Sequence, residues 1–176
     1  MRFTETPLSG AFVVDVESHD DERGLFARTY CADEFHKHAI SFSVVQCNVS
    51  FNRLRGTLRG MHYQAAPAYE AKLVRCTRGA IYDAIVDVRR DSPTYGRWFA
   101  AKLDADNRRA MYIPPNVAHG FQTLVDESEV FYQMSSAHAP QSARGLRWND
   151  PRLDIAWPLP VSVISQRDAG YDDFPW

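Results

Sequence analysis

The chain lacks a long apolar run, a basic excess and any paired-cysteine spacing, and each absence removes a class of function. No apolar stretch approaches the roughly 20 residues that a membrane span requires. The opening MRFTETPLSG has neither the charged nor the apolar part of a secretory leader, so a cytoplasmic location with no membrane partner is expected. A formal net charge of -2 offers no general attraction to nucleic acid, and an anionic ligand would have to be met by a local cluster. Cys31, Cys47 and Cys76 are odd in number and show no C-x-x-C spacing, which argues against both a disulfide framework and a cysteine zinc site. They read as reduced structural thiols. No repeat, low-complexity segment or linker divides the 176 residues, and a 45% hydrophobic content suffices for one sizeable core, so residues 1–176 read as a single domain.

What is present is a succession of short apolar segments, each closed by Gly, Pro, Asn or Asp. They are AFVVDV from Ala11, FSVVQCNVSF from Phe42, TLRGMHY from Thr57, AKLVRC from Ala71 and AIYDAIVDV from Ala80, followed by RWFAAKL from Arg97, RAMYIP from Arg109, HGFQTL from His119 and EVFYQMS from Glu129. Branched and aromatic residues in runs of this length predict strands. Even spacing with turn signals between them predicts an all-β antiparallel sandwich or barrel rather than a βαβ fold. Few segments suit a helix: CADEFHKHA from Cys31, and a short helix or turn in the C-terminal ISQRDAGYDDFPW.

In such a fold, a ligand site is lined by alternate residues of converging strands, so polar residues at strand centres are the candidates. Period two along TLRGMHYQ puts Leu58, Gly60, His62 and Gln64 on one face and Arg59 with Tyr63 on the other. Either Gly60 marks a bulge that brings Arg59 and His62 to one site, or only one of them faces it. A histidine in a strand is more often a hydrogen-bonded structural residue. Its company here shifts that reading, because Arg59, Lys72, Tyr132 and Asp168 are further polar groups in or near apolar segments, and buried cations need partners. Taken alone, Lys72 suits a solvated strand edge, and Tyr132 suits core packing as well as function. A rival reading places a metal among His62, Glu70 and His119. Against it, Gln64 occupies the position where a second ligand beside His62 would stand, and an amide binds transition metals poorly.

RGTLRGMHYQ from Arg55, AKLVRCTRGAIYDAIVDVRRDSPTYGRW from Ala71, YIPPNVAHGFQTL from Tyr112 and LRWNDP from Leu146 together resemble the dTDP-4-dehydrorhamnose 3,5-epimerase family. DERGLF from Asp21 and SQRD from Ser165 extend the likeness, in order, over nearly the whole chain. The resemblance implies a cupin-type double-stranded β-helix (jelly roll), a homodimer that exchanges N-terminal strands, and no metal or organic cofactor. It also implies a nucleotide-diphosphate 4-keto-6-deoxyhexose as substrate and epimerisation at C3, C5 or both. His62 would be the base, Asp168 its orienting carboxylate, Tyr132 the acid on the opposite side of the sugar and Lys72 the cation that meets the enolate oxygen. Such side chains suit that chemistry, because a C–H beside a ketone becomes acidic only when charge developing on the oxygen meets a donor or cation. A neutral imidazole in one tautomer can then take the proton.

By the same resemblance Arg23, Gln46, Asn48, Arg59, His119 and Arg167 would bind substrate, with Arg23 and Arg59 suited to the diphosphate. Phe26 would pack on ligand from the partner subunit. The sequence departs from the family pattern at Arg28 and Ala143, where Glu is usual, at Cys47 for Asp, Arg167 for Lys, and His138 for Tyr. Those positions bear on which nucleotide sugar is bound and on which carbons invert, whereas the proton-transfer set is intact. The alternatives are an epimerase of another nucleotide sugar or of a single carbon, a metal-dependent cupin enzyme, and a catalytically silent carbohydrate-binding protein.

Overall fold

The computed structural model describes residues 1–175. In chain order the elements are β1 (Arg2–Glu5), β2 (Phe12–Asp15), β3 (Ser18–Asp21), β4 (Gly24–Ala27), α1 (Ala32–Lys37), β5 (Gln46–Asn52), β6 (Leu58–Gln64), β7 (Lys72–Arg78) and β8 (Ala80–Asp87). There follow β9 (Trp98–Asp104), β10 (Ala110–Ile113), β11 (Val117–Thr123), β12 (Ser128–Met134), β13 (Ala143–Gly145) and α2 (Gln166–Ala169). Two antiparallel sheets face each other, one ordered β1-β2-β10-β7-β12-β5 and the other β13-β6-β11-β8-β9. This is the all-β architecture that the strand pattern predicts, and the jelly roll that the resemblance implies. No helix among the described residues is long and apolar enough to cross a membrane.

Alternation along the strands sorts the side chains into layers. Between the sheets lie Val74, Ile81, Ile85, Leu103, Met111, Phe121 and Val130, all at most 2% exposed. On the outer face of the six-stranded sheet, α1 lays Phe35 over Leu73, Ala110 and Tyr112. On the outer face of the five-stranded sheet, Leu146, Leu153, Ile155 and Phe174 cover Met61, Ala84, Val86 and Ala118. Each sheet is therefore buried on two sides, which explains why its central strands read as continuous apolar runs.

Three features depart from the sequence reading. The run from Phe42 begins its strand only at Gln46, because Phe42 is drawn out of the ladder to stack on Phe35, with its carbonyl accepting from the Tyr30 hydroxyl at 2.6 Å. The β3–β4 hairpin is not legible as strand, being charged and exposed throughout most of its length. Neither β1 nor β13 carries enough apolar alternation to announce itself; β1 is held by pairing with β2, and β13 by pairing with β6.

The end of β8 is fastened by a buried carboxylate. Asp87 accepts from the Arg89 amide and Nε at 3.0 and 2.8 Å, from Arg89 Nη2 at 2.8 Å, and from the Ser92 and Thr94 hydroxyls at 2.5 and 2.6 Å. Burial alone would raise its pKa, but these donors outweigh burial and hold it down at about 2, against an ordinary value of 3.8. A depressed carboxyl contributes stability that is complete above the ordinary value and is lost as pH falls through the folded one. Asp87→Asn should therefore cost about 2 kcal/mol at pH 7. Urea denaturation should show this loss, together with a weaker fall in stability between about pH 4 and pH 2 than in the unaltered protein; a variant of unchanged stability would dismiss the clamp.

Candidate active site

The site begins with an irregularity in β6. Across the β6–β11 ladder, His62 pairs with His119 but Arg59 pairs with Phe121, so three residues of β6 span two of β11. The extra residue is the bulge anticipated at Gly60. Gly60 has φ +131°, and a Cβ there would lie 2.5 Å from the Gly120 Cα, so the two backbones meet where neither chain has room for a side chain. Because the bulge shifts the alternation by one, Arg59 and His62 both face the space between the sheets. Of the two readings of this strand, the bulge is the one found.

The cavity they enter has a volume of ≈ 340 Å³ and is walled by β5, β6, β7, β11, β12 and α2. His62 reaches it from the five-stranded sheet, and Lys72 with Tyr132 from the opposite sheet. His62 Nε2 lies 2.8 Å from Asp168 Oδ1, while Asp168 Oδ2 accepts from the Gly60 amide at 3.1 Å. Asp168 sits on α2, a single turn whose N-cap Ser165 accepts from the Asp168 amide at 3.0 Å. Burial raises the Asp168 pKa, but the His62 hydrogen bond and charge, the Gly60 amide and Ser165 more than offset it and leave the carboxyl below its ordinary value. An ionised carboxylate can only accept, so Nε2 of His62 carries the proton of that contact and Nδ1 keeps its lone pair for the cavity.

Lys72 is 9% exposed, with Nζ 3.2 Å from Glu70 Oε1 and donating to the His62 carbonyl at 3.3 Å. An ammonium has three donors, and one is left for a ligand. Tyr132 packs its ring edge-on to His119 at 6.0 Å. Burial first, and then the charge of Asp83, push its phenol well above the ordinary range despite the opposing effects of Arg59 and Ser50, so Tyr132 keeps its proton at neutral pH. His119 is 4% exposed and forms a second histidine–carboxylate pair, Nε2 to Asp83 Oδ1 at 2.6 Å. The other Asp83 oxygen is buried without a hydrogen-bond partner among the described residues.

Around the rim, Arg59 donates to Asn52 Oδ1 at 2.7 Å, and Gln46 donates to Asn48 at 3.2 Å while accepting from the His138 amide at 3.0 Å. Arg167, His138 and Ala143 line the same cavity, so three of the departures from the family pattern lie where a ligand would be recognised. Arg28 does not: it pairs with Glu34 at 2.6 Å, beside the N-terminal amine. Cys47 is exposed on β5. Arg23 and Phe26 also lie outside this cavity, on the β3–β4 hairpin, where Arg23 pairs with Asp21 and Phe26 is 76% exposed.

Sequence reasoning misses Asp83, Asn52 and Tyr171. Asp83 leaves a signal, a carboxylate in the middle of the apolar run AIYDAIVDV. Asn52 acts through Arg59, and Tyr171 through Arg167 and the distant His62, and neither stands out in its own segment. At the positions of the metal reading, Glu70 is paired with Lys72, and Gln64, beside His62, is bonded to the backbone of Ala68, Ala137 and Ala139. No cluster of three His, Cys, Asp or Glu side chains among the described residues is placed to hold a metal ion.

Residues 5–175 match the family model of dTDP-4-dehydrorhamnose 3,5-epimerase. A Pseudomonas aeruginosa protein of that name is 40% identical over 172 residues, covering 96% of this chain and 93% of the relative. A Legionella pneumophila dTDP-6-deoxy-D-glucose-3,5-epimerase, solved in complex with dTDP-4-keto-L-rhamnose, superimposes with a TM-score of 0.92 at 32% identity, covering 98% of this chain and 92% of that one. A 3'-monoepimerase from Streptomyces bikiniensis, in complex with dTDP-quinovose, does so with a TM-score of 0.89 at 34% identity over 96% and 86% of the two chains. A match over nearly the full length, in sequence and in fold, places this chain in the dTDP-4-dehydrorhamnose 3,5-epimerase family of isomerases.

Proposed function

We propose that this protein epimerises a dTDP-linked 4-keto-6-deoxyhexose, converting dTDP-4-dehydro-6-deoxyglucose to dTDP-4-dehydrorhamnose. The observation that carries the reading is the pairing of His62, on one sheet, with Asp168 of α2, beside a cavity whose opposite sheet supplies Tyr132 and Lys72. His62 Nδ1 takes the proton from the carbon beside the C4 ketone, and the C–H electron pair becomes the enolate double bond. Lys72 meets the charge that develops on the C4 oxygen, with the carboxylate of Glu70 beside it. The Tyr132 hydroxyl returns a proton to the other face of the carbon, and the C4 carbonyl re-forms. His62 then loses its proton and Tyr132 regains one, so the cycle consumes none. Arg59, Asn48, Gln46, His119 and Arg167 bind the substrate, with the Arg59 guanidinium suited to the diphosphate.

We further infer a homodimer with exchanged N-terminal strands, in which the β3–β4 hairpin carries Arg23 and Phe26 to the partner's cavity. The exposure of Phe26, and the 58% and 44% exposure of Val49 and Phe51 on the edge strand β5, support a covered apolar surface. Arg23→Ala should raise KM with little change in kcat, and sedimentation equilibrium should give twice the chain mass. A monomer with wild-type KM in the variant would end this part of the reading.

Asp168→Asn should bind substrate normally but lose turnover by roughly 10²–10⁴-fold, by analogy with serine-protease triads. Near-normal turnover would reduce Asp168 to a structural carboxylate. In deuterated water, with C3 and C5 followed by NMR, Tyr132→Phe should slow formation of inverted product more than loss of the original C–H, because the enolate still forms and is reprotonated from the face it came from. His62→Ala should abolish both. Equal slowing of exchange and inversion in Tyr132→Phe would count against two opposed proton carriers.

A further inference from the structure

One aromatic ring in the site has no part in the proton transfers. His62 is held at its Nε2 by Asp168, a single hydrogen bond, and its side chain is 40% exposed. Such a bond fixes one edge of an imidazole and leaves the ring able to turn about it. The face that could turn is met by Tyr171, whose ring stands 71° from the imidazole plane at a centroid distance of 5.9 Å.

Register explains how Tyr171 gets there. On β13, Gly145 lies directly opposite His62 on β6. Residues so placed would ordinarily touch through their side chains, but Gly145 has none, and the slot beside His62 is filled by Tyr171. A Cβ on Gly145 would fall 2.2 Å from Cε2 and Cζ of the tyrosine ring. Tyr171 is itself clamped: its hydroxyl accepts from Arg167 Nε at 2.8 Å, the Arg167 guanidinium lies 5.8 Å from the ring centre, and the carbonyl of the next residue, Asp172, accepts from the Arg147 amide at 2.9 Å. Asp168 and Tyr171 thus reach the same imidazole from one short segment, three residues apart.

We propose that Tyr171 is a positioning residue for His62, its ring orienting the base while its hydroxyl orients Arg167 at the mouth of the cavity. The inference rests on His62 being the base. It divides one side chain into two effects: the ring acts on turnover and the hydroxyl on binding. A small misalignment of a reacting group can cost up to about a hundredfold in rate.

The test is steady-state kinetics with deuterium wash-in on Tyr171→Phe, Tyr171→Ala and Gly145→Ala. Tyr171→Phe keeps the ring, so kcat should stay within about threefold of wild type while KM rises. Tyr171→Ala should lower kcat and wash-in together by roughly tenfold or more. Gly145→Ala, which evicts the ring, should lower kcat similarly, and the double variant Gly145→Ala/Tyr171→Ala should fall no further than Tyr171→Ala alone. Wild-type kcat in Tyr171→Ala, or a loss confined to KM, overturns the proposal. If Tyr171→Ala does not fold, Gly145→Ala decides: wild-type kcat there overturns it, and a lowered kcat restored by no change in substrate concentration upholds it. Persistence of wash-in in His62→Ala would instead remove the base assignment itself, and so separates failure of that reading from failure of this one.

Discussion

Two glycines in contact, Gly60 and Gly120, set the geometry on which the site depends. Their backbones approach more closely than any side chain allows, and the bulge formed there does two things. It turns Arg59 and His62 to the same side of β6, and it leaves the Gly60 amide free of the ladder to donate to Asp168. His62 and Asp168 are consequently tied to one distortion of one strand. An alanine at either glycine would need the backbones to part, and the pairing of His62 with His119 and with Asp168 would move together.

The charges behind the cavity follow a common plan. Asp168 stands behind His62, Asp83 behind His119, and Glu70 beside Lys72. Each carboxylate is at most 8% exposed and directed at a partner. Asp168 and Asp83 do not line the cavity and stand behind the histidines that do, whereas Glu70 lines it beside Lys72, with its charge met by the ammonium. The same arrangement keeps otherwise costly buried carboxylates satisfied before substrate arrives, apart from one oxygen of Asp83.

Much of this is readable in the sequence, and the reasons differ by residue. The strands of the two sheets announce themselves because each sheet is covered on both faces, which demands continuous apolar runs. His62, Lys72 and Tyr132 stand out as polar groups within those runs. Asp168 is harder: alone, it is an acid in a polar C-terminal stretch, and only the resemblance of SQRD to a family motif links it to a histidine more than a hundred residues away. The bulge leaves two readings open, because period-two alternation cannot say whether a glycine interrupts it. Tyr171 cannot be found at all, since its contact with His62 depends on the cross-strand pairing of Gly145 with His62, and sequence does not display register. Arg23 and Phe26 are legible only as family positions, and on this chain they lie outside its own cavity.

The shortness of α2 has a consequence for how the protein fails. A helix of four residues cannot sustain itself; it persists through the Ser165 cap, the Asp168 contacts, the Tyr171 wedge and the burial of Phe174. The sheets draw on far more extensive packing. Segments so unequally secured open at different free energies, and Asp168, the hydrogen-bond partner of His62, rides on the weaker one. Warmth, mild denaturant or a protease acting near the C-terminus would thus part Asp168 from His62 in molecules whose β-sheet content is undisturbed, and a measurement sensitive only to backbone conformation would count those molecules as native.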